Sequence, residues 1–298
     1  MAEITRKRTG EFVRALVGLL MKQPDGLPAR EALLEVAKLV PPTDFEKTNY
    51  ESGGTRFEKI VRFATVDLVK ANWLVKHKGV WSVTEVGRKA YSDFKDPEAF
   101  YKEACRLYNI WKNKRDAAEP GEDPLPVEGG DKRNDANITF EQAEEQAWAA
   151  IAAHLKAMHP YEFQELVASL LRAMGYHVAW VAPPGKDRGI DILAWSDPLG
   201  TRPPRIKIQV KRHEDNIRVQ DLRSFLAVLG EDDVGIFVTT GGFTKDAEEE
   251  ARTQERRKVT LIDLERLFDL WVEYYPKLDE PARRRFPIQP IYFLAPED

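Results

Sequence analysis

Residues 205–211 read Arg-Ile-Lys-Ile-Gln-Val-Lys, a strict alternation of polar and apolar side chains. Successive side chains of a strand point to opposite faces, so Ile206, Ile208 and Val210 share one face and Lys207, Gln209 and Lys211 the other. Just upstream, GIDILAW (189–195) reads as a second strand that sets one carboxylate, Asp191, between Ile190 and Ile192. HVAWVAP (177–183), VGIFVTT (234–240) and KVTLID (258–263) are further strand-like runs. Helix-like segments at Val219–Leu229, Lys245–Gln254 and Leu264–Tyr275 separate the last three strands and follow the final one. Three strands in succession followed by strand–helix alternation predict an α/β domain with a mixed central sheet.

Working outward, Phe163, Leu166, Val167, Leu170, Leu171 and Met174 mark an amphipathic helix that stops at Gly175, preceded by a charged helix from Phe140 to Met158. Residues 116–137 combine Pro, Gly and acidic residues with little apolar periodicity and read as a linker. Before it, Glu11–Met21, Ala29–Val40 and a stripe of Phe57, Ile60, Val61, Ala64 and Leu68 predict three helices. A hairpin around His77-Lys78-Gly79 follows, then a helix capped by Thr84 and one opening at Asp96-Pro97-Glu98. Helix, helix, helix, hairpin, helix is the order of a winged helix. The expected organisation is therefore multidomain, α and α/β: a winged-helix domain with a trailing helix at 1–115, a linker at 116–137, an α/β domain at 138–275 and a C-terminal tail at 276–298, read as extended from Asp279 onward.

The chain has 298 residues, 43% of them hydrophobic and 32% charged, enough apolar material for two cores. No apolar run is long enough to span a bilayer, and MAEITRKRTGEF lacks the apolar core of a secretory signal. A single cysteine, Cys105, excludes an internal disulfide framework, fits a cytoplasmic protein and reads as a packed helix residue. The net charge of −4 gives no whole-chain sign of a polyanionic partner, but cations outnumber acids between Arg202 and Arg223. The five histidines show no metal-binding spacing, which argues against zinc.

An acid on one strand and Gln-x-Lys on the next suit phosphodiester hydrolysis. A carboxylate holds Mg²⁺ (or Mn²⁺), the metal polarises a phosphoryl oxygen, and a lysine orients the attacking water or stabilises developing charge. Asp191 and Lys211 fit these roles, with Gln209 as a neutral oxygen donor to the metal. On pattern alone, an acid at a strand end and lysines on a solvated strand face fit equally well.

From Tyr161 to Asp263 the chain resembles the catalytic domain of Mrr-like restriction endonucleases, within the PD-(D/E)xK nuclease fold. The matching blocks are FQELVASLLRAMGY, DRGIDI, IQVKR, GIFVTTGGFTKDA and VTLIDLERL, in that order. The N-terminal region is similar to the winged-helix module that accompanies this domain. The resemblance implies an α/β restriction-endonuclease-like fold and a metal-dependent endonuclease for double-stranded DNA, with a host-defence role often directed at modified DNA. It carries metal binding onto Asp191 and central roles onto Gln209 and Lys211. Two positions depart from the family. Arg188 replaces a usual glycine and adds a cation beside the site, and Gln164 stands where the family has glutamate after Phe163. Helical geometry puts Gln164 at the edge of the apolar face, facing the site, and Glu165 nearly opposite. The missing acid keeps open a second reading, a non-catalytic DNA-binding protein with a degenerate nuclease domain.

The expected DNA contacts are Arg56, Lys59 and Arg62 on the third helix, Lys76 and Lys78 on the hairpin, and Arg188 and Arg212 beside the catalytic strands. Cleaving both strands needs two active sites, so a homodimer or larger homo-oligomer is expected.

Overall fold

The computed structural model describes residues 5–49, 54–116, 132–183, 185, 189–213, 215–255 and 257–293, with backbone alone at 113–116 and 132–139. The chain divides into two compact units, Met1–Ala149 with Phe293–Asp298, and Ala150–Tyr292.

The first unit runs α1 (Arg6–Leu20), β1 (Leu27–Pro28), α2 (Ala29–Leu39), α3 (Arg56–Lys70), β2 (Leu74–His77), β3 (Val80–Val83), α4 (Glu85–Asp93), α5 (Pro97–Asp116) and the start of α6 (Lys132–Ala157). Threonine caps set three of the helix starts: Thr5, Thr55 and Thr84 accept from the backbone N–H of Arg8, Glu58 and Gly87. β3 pairs antiparallel with both β2 and the short β1. The core gathers Phe12 and Leu16 from α1, Val61 and Leu68 from α3, Trp73 just before β2, Trp81 from β3, and Phe100 from α5. Two glycines allow backbone to approach backbone there. A Cβ on Gly10 would lie 2.0 Å from the Pro97 carbonyl oxygen, and one on Gly87 2.2 Å from that of Trp73.

The second unit continues α6 and adds α7 (Pro160–Ala173), β4 (His177–Val181), β5 (Ile192–Trp195), β6 (Arg205–Lys211), α8 (Val219–Ala227), β7 (Asp233–Thr239), α9 (Lys245–Thr253), β8 (Lys258–Ile262), α10 (Leu264–Tyr274) and α11 (Glu280–Arg285). The strands form one five-stranded sheet in the order β4-β5-β6-β7-β8. The first two pairings are antiparallel and the last two parallel, so the expected mixed α/β sheet is present. α7 packs on β4, β5 and β6, and α10 on β7 and β8. On the face bearing Phe237, Leu222, Phe225 and Leu226 of α8 join Ala247 of α9 in a second core. Gly235 gives α8 room, because a Cβ there would sit 2.8 Å from both Phe225 and Leu229.

Two expectations change, and one short element was unforeseen. α6 begins at Lys132, inside the stretch read as linker, while residues 117–131 lie outside the described residues. The tail is not wholly extended: α11 buries Ala282, and Phe286 packs its ring against His154 and Trp271. β1, only two residues long, leaves no period to detect.

Gly10→Ala tests the α1–α5 crossing. Alanine favours a helix by about 1 kcal/mol, but the clash with rigid backbone costs about 1–3 kcal/mol. The variant is therefore expected to melt below the native protein in thermal denaturation. An equal or higher Tm would show that the crossing relaxes without cost.

Candidate active site

The antiparallel pairing of β5 with β6 sets Ile192 opposite Ile208. One residue earlier, the Asp191 N–H donates to the Ile208 carbonyl at 2.8 Å, extending the ladder. The Val210 N–H then donates to Asp191 Oδ2 at 2.7 Å. The side chain of Asp191, only 8% exposed, is thus tied to the backbone of the strand that carries Gln209 and Lys211. A charge-assisted contact of this kind is stronger than a neutral hydrogen bond, and it fixes the carboxylate's position.

Gln164 is 5% exposed on α7 and points toward Asp191. Its Nε2 donates to the carbonyls of Ala182 at 2.9 Å and Asp191 at 3.2 Å. Two carbonyl partners require the NH₂ end of the amide, so this orientation follows from the network. A glutamate here would set carboxylate oxygen against carbonyl oxygen. Glu165 faces outward and pairs with Arg172 at 2.6 Å.

The polar face of β6 meets α8. Lys207 Nζ donates to the Val228 carbonyl at 2.9 Å and pairs with Asp233 at 2.7 Å. Lys211 Nζ donates to Asp221 in the first turn of α8 at 2.8 Å, and this hydrogen bond holds the Asp221 carboxyl below its ordinary range. Gln209 is half-buried, with its Nε2 3.9 Å from where a Cβ on Gly189 would stand. Asp191, Gln164, Gln209 and Lys211 are therefore organised around one end of β5 and β6. Asp221 had no distinguishing sequence signal beyond being an acid at a helix start.

The candidate DNA contacts divide. Arg56 places its guanidinium over Phe45 and donates from Nε to Thr48 Oγ1, and Lys59 is half-buried on the same helix. Arg62, expected among the DNA contacts, is 5% exposed and bound by Glu141 and Glu145 of α6. Lys76 is likewise held, by Glu141 at 2.7 Å, and the Lys78 ammonium lies over the Trp148 ring. Arg212 donates to the Lys156 carbonyl at 2.7 Å, and Arg188 lies outside the described residues.

A hard cation would take oxygen donors, and the side chains here that could supply them are the Asp191 carboxylate and the amide oxygen of Gln209 on the neighbouring strand. Among the described residues no three His, Cys, Asp or Glu side chains gather as a metal cage. Mg²⁺ suits such a sparse set, because it keeps several waters and commonly uses one or two carboxylates plus substrate phosphates.

Residues 155–271 match the family model Mrr_cat, described as restriction endonuclease. The second unit carries an Mrr-like restriction endonuclease domain. The chain is 24% identical over 283 residues to the type IV methyl-directed restriction enzyme EcoKMrr of Escherichia coli (strain K12), covering 88% of this chain and 91% of that protein. A solved structure of MspJI restriction endonuclease in complex with a 27-mer oligonucleotide aligns at TM-score 0.31 and 16% identity, over 57% of this chain and 38% of that one. Within the restriction endonuclease domain, Asp191 immediately precedes β5, Gln209 and Lys211 lie at the end of β6, and Gln164 lies on the helix packed against these strands.

Replacing Gln164 by Glu tests how the amide positions Asp191. Losing the donor between two carbonyls is expected to cost about 1–3 kcal/mol. Burial raises the carboxyl's folded pKa above its unfolded one, so stability is lost as pH rises. The Tm deficit of Gln164→Glu in EDTA should therefore widen between pH 5 and pH 8. Equal melting at pH 8 would rule out the donor role.

Proposed function

We propose that the chain is a Mg²⁺- or Mn²⁺-dependent endonuclease of double-stranded DNA. The observation that carries this is the Asp191 carboxylate held at 2.7 Å by Val210 N–H, inside a restriction endonuclease domain, next to the strand end that presents Lys211. Asp191 and Gln209 are the residues that would hold the metal, which would supply Lewis-acid polarisation of the scissile phosphate. Lys211 is assigned to the reacting phosphate, where its ammonium orients the nucleophilic water and offsets developing charge. Asp221 positions that ammonium until substrate arrives. Gln164 acts through the main chain, keeping the Asp191 segment against α7.

The first unit is assigned as a winged-helix DNA-binding domain, with α3 as the recognition helix and the β2–β3 hairpin as the wing; the helix order and the three-stranded sheet support it. The proposed domains are residues 1–115 for DNA binding and 138–275 for catalysis, whereas the contacts divide the chain after Ala149 and leave the first part of α6 with the first unit. Arg56, Lys59, Arg62, Lys76 and Lys78 are then its DNA-contacting set, and Arg188 and Arg212 flank the catalytic strands. The similarity to a methyl-directed restriction enzyme supports action on modified DNA; a host-defence role in the cytoplasm, as a homodimer or larger assembly able to cut both strands, belongs to the same proposal.

The amide at Gln164 favours one rival, a DNA-binding protein without catalysis. Plasmid cleavage in Mg²⁺ or Mn²⁺, with methylated and unmethylated substrates, decides between them. The native protein should linearise or nick at least one substrate, and Asp191→Ala and Lys211→Ala should each lower the rate by at least about a hundredfold. A native protein that binds DNA yet leaves both plasmids intact would establish the rival.

A further inference from the structure

The α6 carboxylates occupy the donors that the proposed DNA-binding unit would offer to phosphates. Glu141 accepts from Arg62 at 3.1 Å, Trp81 Nε1 at 3.0 Å and Lys76 Nζ at 2.7 Å. Glu145 accepts from Arg62 at 2.9 Å and from the backbone N–H of Arg30, in the first turn of α2, at 3.1 Å. A guanidinium, an ammonium, an indole N–H and a helix N-terminus are a donor set suited to phosphodiester oxygens. The seat is shaped for the helix as well. A Cβ on Gly79, at the turn between β2 and β3, would stand 2.9 Å from Glu145 Cγ and 3.1 Å from its Cα. Beside it the Lys78 ammonium lies 5.2 Å from the Trp148 ring centroid.

We propose that α6 is an acidic latch: Glu141 and Glu145 stand in for two backbone phosphates on α3 and the hairpin, and duplex DNA binds this unit by displacing them. This rests on the DNA-binding reading of the first unit. Had the contact evolved as a simple fastening, apolar side chains of similar volume would serve as well or better, because desolvating Arg62 and Lys76 offsets much of the attraction. Burial already pushes the Lys76 ammonium down from its ordinary value, against the opposing pull of Glu141. Arg62 Nε is buried and has no hydrogen-bond partner among the described residues, so the carboxylates do not saturate the guanidinium. A partner with more acceptor oxygens competes well for such a site.

The test uses the full chain in EDTA and a fluorescently labelled duplex, followed by polarisation. Glu141→Gln/Glu145→Gln keeps the side-chain shapes and is expected to bind at least tenfold more tightly than native, a difference of about 1.4 kcal/mol. Glu144→Gln, which removes one charge from the exposed side of the same helix, should stay within twofold of native. Hydrogen exchange on the native protein gives an independent readout: residues 140–149 should lose protection when duplex is added. Double-variant binding within twofold of native, or protection over 140–149 that persists in the complex, overturns the latch. If either occurs while Arg56→Ala and Lys59→Ala still weaken binding, the DNA-facing reading survives and the latch alone falls. If those two substitutions leave affinity unchanged, both fall together.

Discussion

A single hydrogen bond, from Val210 N–H to Asp191 Oδ2, organises the end of the sheet that carries the candidate site. In an uninterrupted antiparallel ladder a main-chain carbonyl would take that N–H; here a carboxylate takes it, at the point where β5 is only beginning. The substitution has two effects. It holds a negative charge, mostly shielded from water, at a fixed place beside Gln209, and it ties the segment before β5 to β6. Everything assigned to the restriction endonuclease domain follows from that pinning, because Lys211 and Gln209 derive their positions from the same strand.

Around this fixed point the other polar groups act at one remove. Gln164 reaches from α7 to the main chain of Asp191 and Ala182, so an amide does by hydrogen bonding what an acid could not do without a proton. Asp221 restrains Lys211 in the same way from α8. Both arrangements fix polar groups in place, and in the proposed endonuclease they would be preorganised for charge that develops in the transition state. The first unit shows a parallel pairing of charge, with Arg62 of α3 and Lys76 of the hairpin held by Glu141 and Glu145 of α6.

Much of this was legible in the sequence wherever structure follows a local period. The alternation of residues 205–211 located β6 and separated its polar face from its apolar one, and the blocks around it located the remaining strands of the mixed sheet. The helical angle alone put Gln164 inward and Glu165 outward. What periodicity cannot carry is a partner distant in the chain. Arg62 lies off the apolar stripe of its own helix, yet it is buried because α6, from beyond residue 140, covers it. The same holds for Lys76 and for the pairing of Lys211 with Asp221, each decided by packing between elements rather than within one. α11 escaped because its short arginine-rich run shows no stripe, although Asp279 caps it and Phe286 anchors it.

The most direct measurement is a crystal structure of the native chain soaked in Mn²⁺, with the ion located by its anomalous scattering. A peak coordinated by the Asp191 carboxylate is expected, with Gln209 or the backbone beside it completing the protein's share, and that peak should be lost in Asp191→Asn. A saturating soak that places no ion at Asp191, or places it equally in the variant, would contradict the central claim.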